Sequence, residues 1–139
     1  MAKMVLKNAS VMINSVDLSN HVASVTIETT RDEKDVTAMG AVNKEIIAGL
    51  GDCTVTLDVF QDYATASVDA TLFPLSQSNT PFPVVIKPDA GAVSPTNPSY
   101  TLQAMLFNYN PIAGAVGDEN RTPVTLRNAA QTGLVRATA

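Results

Sequence analysis

Hydrophobic and polar residues alternate along much of the chain. In residues 22–30, Val25 and Ile27 occupy one set of alternate positions and polar residues occupy the other. The same alternation recurs over residues 53–60 and 122–127. Because successive side chains of a strand point to opposite faces, this period of two predicts half-buried strands of an antiparallel sheet. Further strands are predicted at residues 10–14, 83–87, 100–109 and 133–137.

Two of these predicted strands carry more specific expectations. Residues 100–109 place Met105 and Phe107 on their second face, which predicts that both faces of this strand are covered. Residues 83–87 are bracketed by prolines, namely Pro81, Pro83 and Pro88. Since proline cannot donate to the ladder of a sheet, this favours an edge strand.

A short helix is predicted at about residues 67–76. Ser67 suits the N-cap, and Asp69 lies in the first turn, where the helix dipole favours an anion. Pro74 limits or kinks the helix. The apolar residues of one helical stripe are Val68, Leu72 and Leu75.

Residues 31–52 read as a long protruding loop or hairpin. They carry mixed charges and then glycines, and residues 36–39 and 45–47 are able to pair. Residues 88–99 read as a proline-rich crossover. An extended loop of that length in a compact domain usually has a function, so 31–52 is the first place to look for one. The expected fold is one mainly β domain over residues 1–139, an antiparallel β-sandwich or barrel with one short flanking helix.

Composition limits the possible functions. The 139 residues suit a single domain, and only 16% of them are charged, which suggests either a neutral surface or one partly covered in an assembly. The net charge of −4 argues against a module that grips nucleic acid through its phosphates. The first residues lack the apolar core of a secretory signal, and no apolar run is long enough to span a membrane. We therefore expect synthesis in a cytoplasm and no membrane partner.

The residues that carry enzyme chemistry are scarce. His21 is the only histidine, and Cys53, the only cysteine, sits in the apolar register of its strand, as a buried packing thiol would. Asp58, Asp62 and Asp69 invite a carboxylate-pair hypothesis, but they fall on a strand, a turn and a helix cap. No glycine-rich phosphate-binding motif is present. The sequence predicts a protein that is not an enzyme and has neither a cofactor nor a metal site.

A charge-poor β domain must control its sheet edges, and pairing edges between copies into a ring is one solution. Beyond this, much of the sequence resembles the tail tube proteins of long, non-contractile bacteriophage tails. The stretches that carry the resemblance are Ile13–Val22, Thr26–Glu28, Asp35–Gly40, Phe60–Tyr63, Ser67–Leu75 and Asn97–Tyr100.

The resemblance implies a structural virion protein, made in a host bacterium, whose hexameric rings stack into a tube. It implies a channel that conducts genomic DNA during ejection without binding it specifically, and tape-measure and tail-completion proteins as partners. The 31–52 loop would then reach the neighbouring ring. The candidate inter-ring residues are Arg31, Asp32, Glu33, Lys34, Asp35, Lys44 and Glu45. A small capsid decoration protein, or another virion surface-binding β domain, is the alternative.

A channel for DNA makes one further demand, because each lysine or arginine on its wall would attract phosphates. The polar face of strands 22–30 and 53–60 carries no base and is our candidate for the lumen wall. A solvated outer face is the competing interpretation. The candidate lumen residues are Ser24, Thr26, Glu28, Thr54, Thr56 and Asp58.

Overall fold

The computed structural model describes residues 3–139, which form one eight-stranded antiparallel sheet and a single α-helix. The strands follow the spatial order β2-β1-β5-β6-β7-β4-β3, and β8 pairs with β6. The strands are β1 (Ser10–Ile13), β2 (Val16–Asp17), β3 (Val22–Asp35), β4 (Ile46–Phe60), β5 (Phe82–Lys87), β6 (Ser99–Tyr109), β7 (Arg121–Asn128) and β8 (Val135–Ala137). The helix is α1 (Val68–Ser76), and Ser19–His21 form a short 3-10 turn.

The alternating pattern places the core as predicted. On β4, every second residue is buried, from Cys53 to Val59, and the residues between them are at least partly exposed. Val25 and Ile27 of β3 are half-buried against the same core. These two side chains also line one groove with Ile86 of β5 and Tyr100 of β6, although β3 and β5 are not neighbours in the sheet. The sheet therefore folds over on itself and encloses the core. The predicted mainly β fold with one short helix is confirmed.

A short hairpin near the N-terminus was not predicted. Ile13 of β1 pairs with Val16 of β2, and the two residues between them, Asn14 and Ser15, have φ angles of 50° and 68°. Positive φ at both central residues is typical of a type I′ turn, whose twist matches that of the flanking strands. Asn tolerates a positive φ, but Ser is not a residue that indicates one. The sequence therefore contains little indication of this turn.

The prediction that residues 83–87 form an edge strand is wrong. β5 lies inside the sheet, paired with β1 on one side and with β6 on the other. Pro83 is tolerated because it lies beyond the last β1–β5 pair, Ile13 with Val84, where the Pro83 carbonyl still accepts a hydrogen bond from the N–H of Asn14 at 2.8 Å. Because Pro83 lies near the start of the strand, its lack of an N–H disturbs the ladder of hydrogen bonds least.

The expectation that both faces of β6 are covered is met in part at Met105, which is half-buried, and is wrong at Phe107. Phe107 is 70% exposed. The register of β6 against β7 shifts between Leu106 and Asn108, so Phe107 is the extra residue of a β-bulge. A bulge re-aims the side chain that it carries, and the period-two pattern cannot show where one occurs.

The helix forms where the sequence predicted it. Val68, Leu72 and Leu75 are buried, and Ser67 is the N-cap residue. Its hydroxyl, however, does not cap the helix and instead donates to Asp62 Oδ2 at 2.7 Å. Pro74 lies inside the helix, which ends two residues later.

Residues 31–52 form a two-stranded arm, so of the predicted loop or hairpin the hairpin is confirmed. β3 and β4 continue past the end of β7, pairing from Arg31 with Gly51 to Asp35 with Ile46, and residues 36–45 form the tip. A bulge interrupts the arm where the register shifts between Arg31 and Glu33. A Cβ at Gly49 would lie only 2.9 Å from Asp32 Cβ, so this close approach requires glycine.

Candidate assembly surfaces

The six candidate lumen residues lie together on one face of the β3–β4 ladder. Ser24 pairs directly with Asp58, and the two pairs after it follow the same register. All six side chains are exposed or half-exposed. We call this surface, with its continuation onto β7, the polar face. The other two direct pairs are Thr26 with Thr56 and Glu28 with Thr54.

The polar face continues onto β7 and there includes two arginines that the sequence did not bring into the site. Arg127 pairs with Thr54 across the ladder, and its Nη2 lies 2.6 Å from Asp52 Oδ2. Arg121 pairs with Phe60, and its Nη2 lies 2.7 Å from Asp58 Oδ2. Each arginine therefore bonds the carboxylate two residues before its direct partner on β4.

Arg121 is held by two further groups. Its Nη1 lies 3.4 Å from Glu119 Oε1, and its guanidinium carbon lies 5.1 Å from the centre of the Phe60 ring, within the range of a cation–π contact. Within residues 22–30, 52–60 and 121–128, every base is thus bonded to an acid. The remaining carboxylate of the polar face is Glu28.

The arm carries exposed apolar side chains on its β4 strand and at its tip. Met39 and Val42 at the tip are fully exposed, as is most of Leu50. Ile46 and Ile47 are about half exposed. Contiguous exposed apolar surface on a soluble domain is typical of a site that another protein covers.

The opposite end of the same strands carries a second exposed loop, residues 110–120. Ile112 and Val116 of this loop are exposed. From Asp52 to Phe60, β4 spans about 26 Å at the usual rise per residue, so this loop and the arm lie at the two ends of the sheet.

Hydrogen bonds from the β4–α1 segment hold this loop. Gln61 Nε2 and the Tyr63 hydroxyl both donate to the Pro111 carbonyl, at 2.8 and 2.6 Å. The Tyr109 hydroxyl donates to Asp69 Oδ1 at 2.7 Å. Burial raises the pKa of Tyr109 to about 12, and the hydrogen bond to Asp69 adds to the shift. The loop is therefore anchored at its base by a polar network.

A second polar cluster joins the start of β3 to the segment before α1. Asp62 accepts hydrogen bonds from the Ala64 N–H at 2.9 Å and from the Ser67 hydroxyl at 2.7 Å, and it lies 3.0 Å from His21 Nε2. The Ala64 and Ser67 hydrogen bonds, together with His21, lower the pKa of Asp62 below its usual value of 3.8. The ionised carboxylate thus fastens two segments that are far apart in sequence.

We predict a pH-dependent contribution from Asp62. Because its folded-state pKa is lowered, its stabilisation is present above pH 3.8 and is lost as the pH falls through the folded-state pKa. The Asp62→Asn variant should unfold at a lower denaturant concentration than the natural protein near pH 6, and the gap should narrow as the pH falls below 3.8 and through the folded-state pKa. Taking the difference between the two proteins cancels the other carboxylates with lowered pKa values, Asp17 and Asp35. A gap that stays constant from pH 7 to pH 3 would contradict this role.

The residues weighed for catalysis do not converge. Asp58, Asp62 and Asp69 each bond a different partner, respectively Arg121, the His21–Ser67 cluster and Tyr109. Cys53 is buried, and desolvation, with Asp52 nearby, raises its pKa. Cys53 pairs with Thr29, about 23 Å along β3 from Val22, so His21 and Cys53 are too far apart to act together.

Residues 3–139 contain neither a cluster of metal-ligating side chains nor a membrane-spanning helix. No group of three or more histidine, cysteine, aspartate or glutamate side chains there is arranged to hold a metal ion. Over the same residues, no helix combines the length and the hydropathy that crossing a membrane requires.

Comparison with solved structures identifies the fold. A chain from the virion of a native gene transfer agent particle superposes with a TM-score of 0.77 at 13% identity, covering 97% of this chain and 99% of that one. The fold is one that phage-like particles use. A chain from the sheath–tube complex of an extracellular contractile injection system in its extended state gives 0.67 at 13% identity over 99% and 93% of the two chains. A chain from the C6-symmetric tail of an empty gene transfer agent particle gives 0.66 at 14% identity over 86% and 82%.

No protein-family model matches the sequence, and no curated protein matches it. The similarity to these structures is thus one of fold, at sequence identities too low for sequence comparison to detect it.

Proposed function

We propose that this protein is the subunit of a phage-type tail tube. In this proposal it is a structural virion protein, made in a host bacterium, that self-assembles into stacked hexameric rings of a long, non-contractile tail. The observation that carries the proposal is the superposition of most of the chain on chains from a gene transfer agent virion, a gene transfer agent tail and a contractile sheath–tube complex. The sequence resemblance to non-contractile tail tube proteins favours that tail type.

The free edge of β3 supports ring formation. Within residues 3–139, this 14-residue strand pairs with β4 alone. A long unpaired edge is an invitation to pair with another chain, and charges usually guard it. In the part of β3 that belongs to the main sheet, residues 22–30, Glu28 is the only charged residue. Pairing of this edge with the next copy would cover its unpaired backbone groups and build a ring through heterologous contacts.

The arm supports the stacking of rings. Its exposed tip and the 110–120 loop lie at opposite ends of the same strands, so a contact between them joins one copy head-to-tail to the next. A heterologous contact of this kind does not close on two copies and continues along an axis. In the proposal, Arg31 to Asp35, Lys44 and Glu45 make the polar part of that contact. Tape-measure and tail-completion proteins would be further partners, as the family resemblance implies.

The polar face is our candidate for the lumen wall. Most of its neutral positions are serine and threonine, whose hydroxyls offer no charge to a phosphate, and the other two, Phe60 and Pro123, are also uncharged. Including Asp52 and the two arginines, three carboxylates stand against two guanidinium groups, a small negative balance. DNA would therefore pass this face without an electrostatic trap.

Negative-stain electron microscopy of the concentrated protein tests the proposal. We expect hollow tubes with a regular axial repeat and six-fold symmetric end views. Compact trimers, or solid particles without a channel, would contradict it and favour a decoration protein. A version in which an Asn-Gly turn replaces residues 36–45 is the control, because it keeps the sheet and should leave single rings or monomers.

A further inference from the structure

The two arginines of the polar face are held in matching ways at the two ends of β7. Arg127 and Arg121 each reach a carboxylate of β4 two residues from the directly paired position, at 2.6 and 2.7 Å. Between these two ion pairs the direct partners are uncharged, Thr56 with Thr125. The ladder therefore carries a neutral centre and one closed ion pair at each end.

These ion pairs do little for the stability of the subunit. The side chains of Asp52 and Arg127 are 44% and 49% exposed, and those of Asp58 and Arg121 are 35% and 40% exposed. Pairs this open to solvent contribute little to folding, since water and salt screen them. Their larger effect is on the field above the face, because each carboxylate cancels a guanidinium charge at short range.

We propose that Asp52 and Asp58 are masking residues that keep Arg127 and Arg121 from holding DNA. This inference rests on the proposed function, with the polar face lining the channel. Without the two carboxylates, every copy in a ring would present to the same stretch of DNA two guanidinium groups that have lost their short ion pairs. Arg127 would have no acid bonded to it, and Arg121 would keep only the longer 3.4 Å contact to Glu119. Each phosphate that they neutralise releases counterions and adds to the affinity. A conduit whose wall did this would retain the DNA that it must release.

The test compares tubes of the natural protein with tubes of the Asp52→Asn/Asp58→Asn variant. Tubes are assembled with a short fluorescent DNA duplex, treated with a nuclease that removes outside DNA, and sedimented. We expect the variant to protect at least roughly tenfold more duplex at about 50 mM salt, and to lose it by about 200 mM, as phosphate contacts predict.

Two controls separate the mask from total charge and from changes of shape. The Asp17→Asn/Asp89→Asn variant removes the same number of charges outside the polar face, the arm and the 110–120 loop, and an asparagine oxygen can still accept the backbone N–H of Ser19 or Gly91. It should protect no more duplex than the natural protein. Adding Arg121→Gln and Arg127→Gln to the Asp52→Asn/Asp58→Asn variant removes the unmasked bases and should return protection to the natural level.

The outcomes distinguish this inference from the proposed function. If the natural protein forms no hollow tubes, the proposed function fails. If tubes form and the doubly substituted tubes protect no more duplex than those of the charge control, the masking role is wrong. Should the double variant fail to assemble, the single variants Asp52→Asn and Asp58→Asn decide, since each removes the short ion pair of one arginine. Each should give an intermediate gain, and Asp52→Asn the larger one, because Arg121 keeps its contact to Glu119.

Discussion

Exchanging the four charges where the arm leaves the sheet should stop tube formation and leave the subunit folded. The exchange leaves the net charge of −4 unchanged, because two bases and two acids are swapped. We expect sedimentation and electron microscopy to find no tubes, and thermal unfolding to find a cooperative transition close to that of the natural protein. The substitutions are Arg31→Glu, Asp32→Lys, Glu33→Lys and Lys34→Glu.

The subunit should tolerate this exchange because these charges have uncharged neighbours across the arm. Arg31 pairs with Gly51, Glu33 with Ala48 and Lys34 with Ile47. The ion pairs found within residues 3–139 involve none of the four side chains. A loss of assembly would therefore report contacts with another copy, where opposed charges set register and exclude wrong pairings.

A charge-preserving set provides the matched control. Arg31→Lys, Asp32→Glu, Glu33→Asp and Lys34→Arg change the shape of all four side chains and keep their signs. Tubes from this set and none from the exchanged set would assign the effect to charge. Normal tubes from the exchanged set would remove the arm from the ring-to-ring contact.

Local patterns in the sequence predicted most of the elements. Alternation predicted β4 because one face of this strand is buried within the subunit, which makes every second residue apolar. The apolar stripe of Val68, Leu72 and Leu75 predicted α1 for the same reason. The strands of the arm were harder to predict, since both faces of the arm are exposed and its apolar residues do not alternate with polar ones. Its strands were therefore predicted to stop at residue 30 and to resume at residue 53.

The order of strands is what the sequence could not show. Prolines around β5 indicated an edge because proline blocks one ladder bond, yet whether a neighbour exists on that side depends on β1, about 70 residues earlier. The same limit affected the polar face. The alternating pattern places Arg127 on the solvent-exposed face of its strand. Only the register of β7 against β4 shows that it contacts Asp52.

Truncating one buried side chain of α1 should destabilise the whole subunit. Leu72 is completely buried in the core, so Leu72→Ala should lower the free energy of unfolding by about 2–5 kcal/mol, through lost transfer energy and the cavity left behind. The measurement is urea unfolding of the unassembled subunit, followed by circular dichroism.

The neighbouring residue supplies the control for this prediction. Phe73 follows Leu72 on the same helix and is larger, but it is 45% exposed. Since full burial of such a side chain contributes only about 1.5–3 kcal/mol, Phe73→Ala should cost no more than about 1.5 kcal/mol. The smaller side chain should thus matter more, because position in the core outweighs size. Equal losses from the two variants would mean that α1 does not pack on the sheet through the Leu72 stripe, and the core described above would need a different helix orientation.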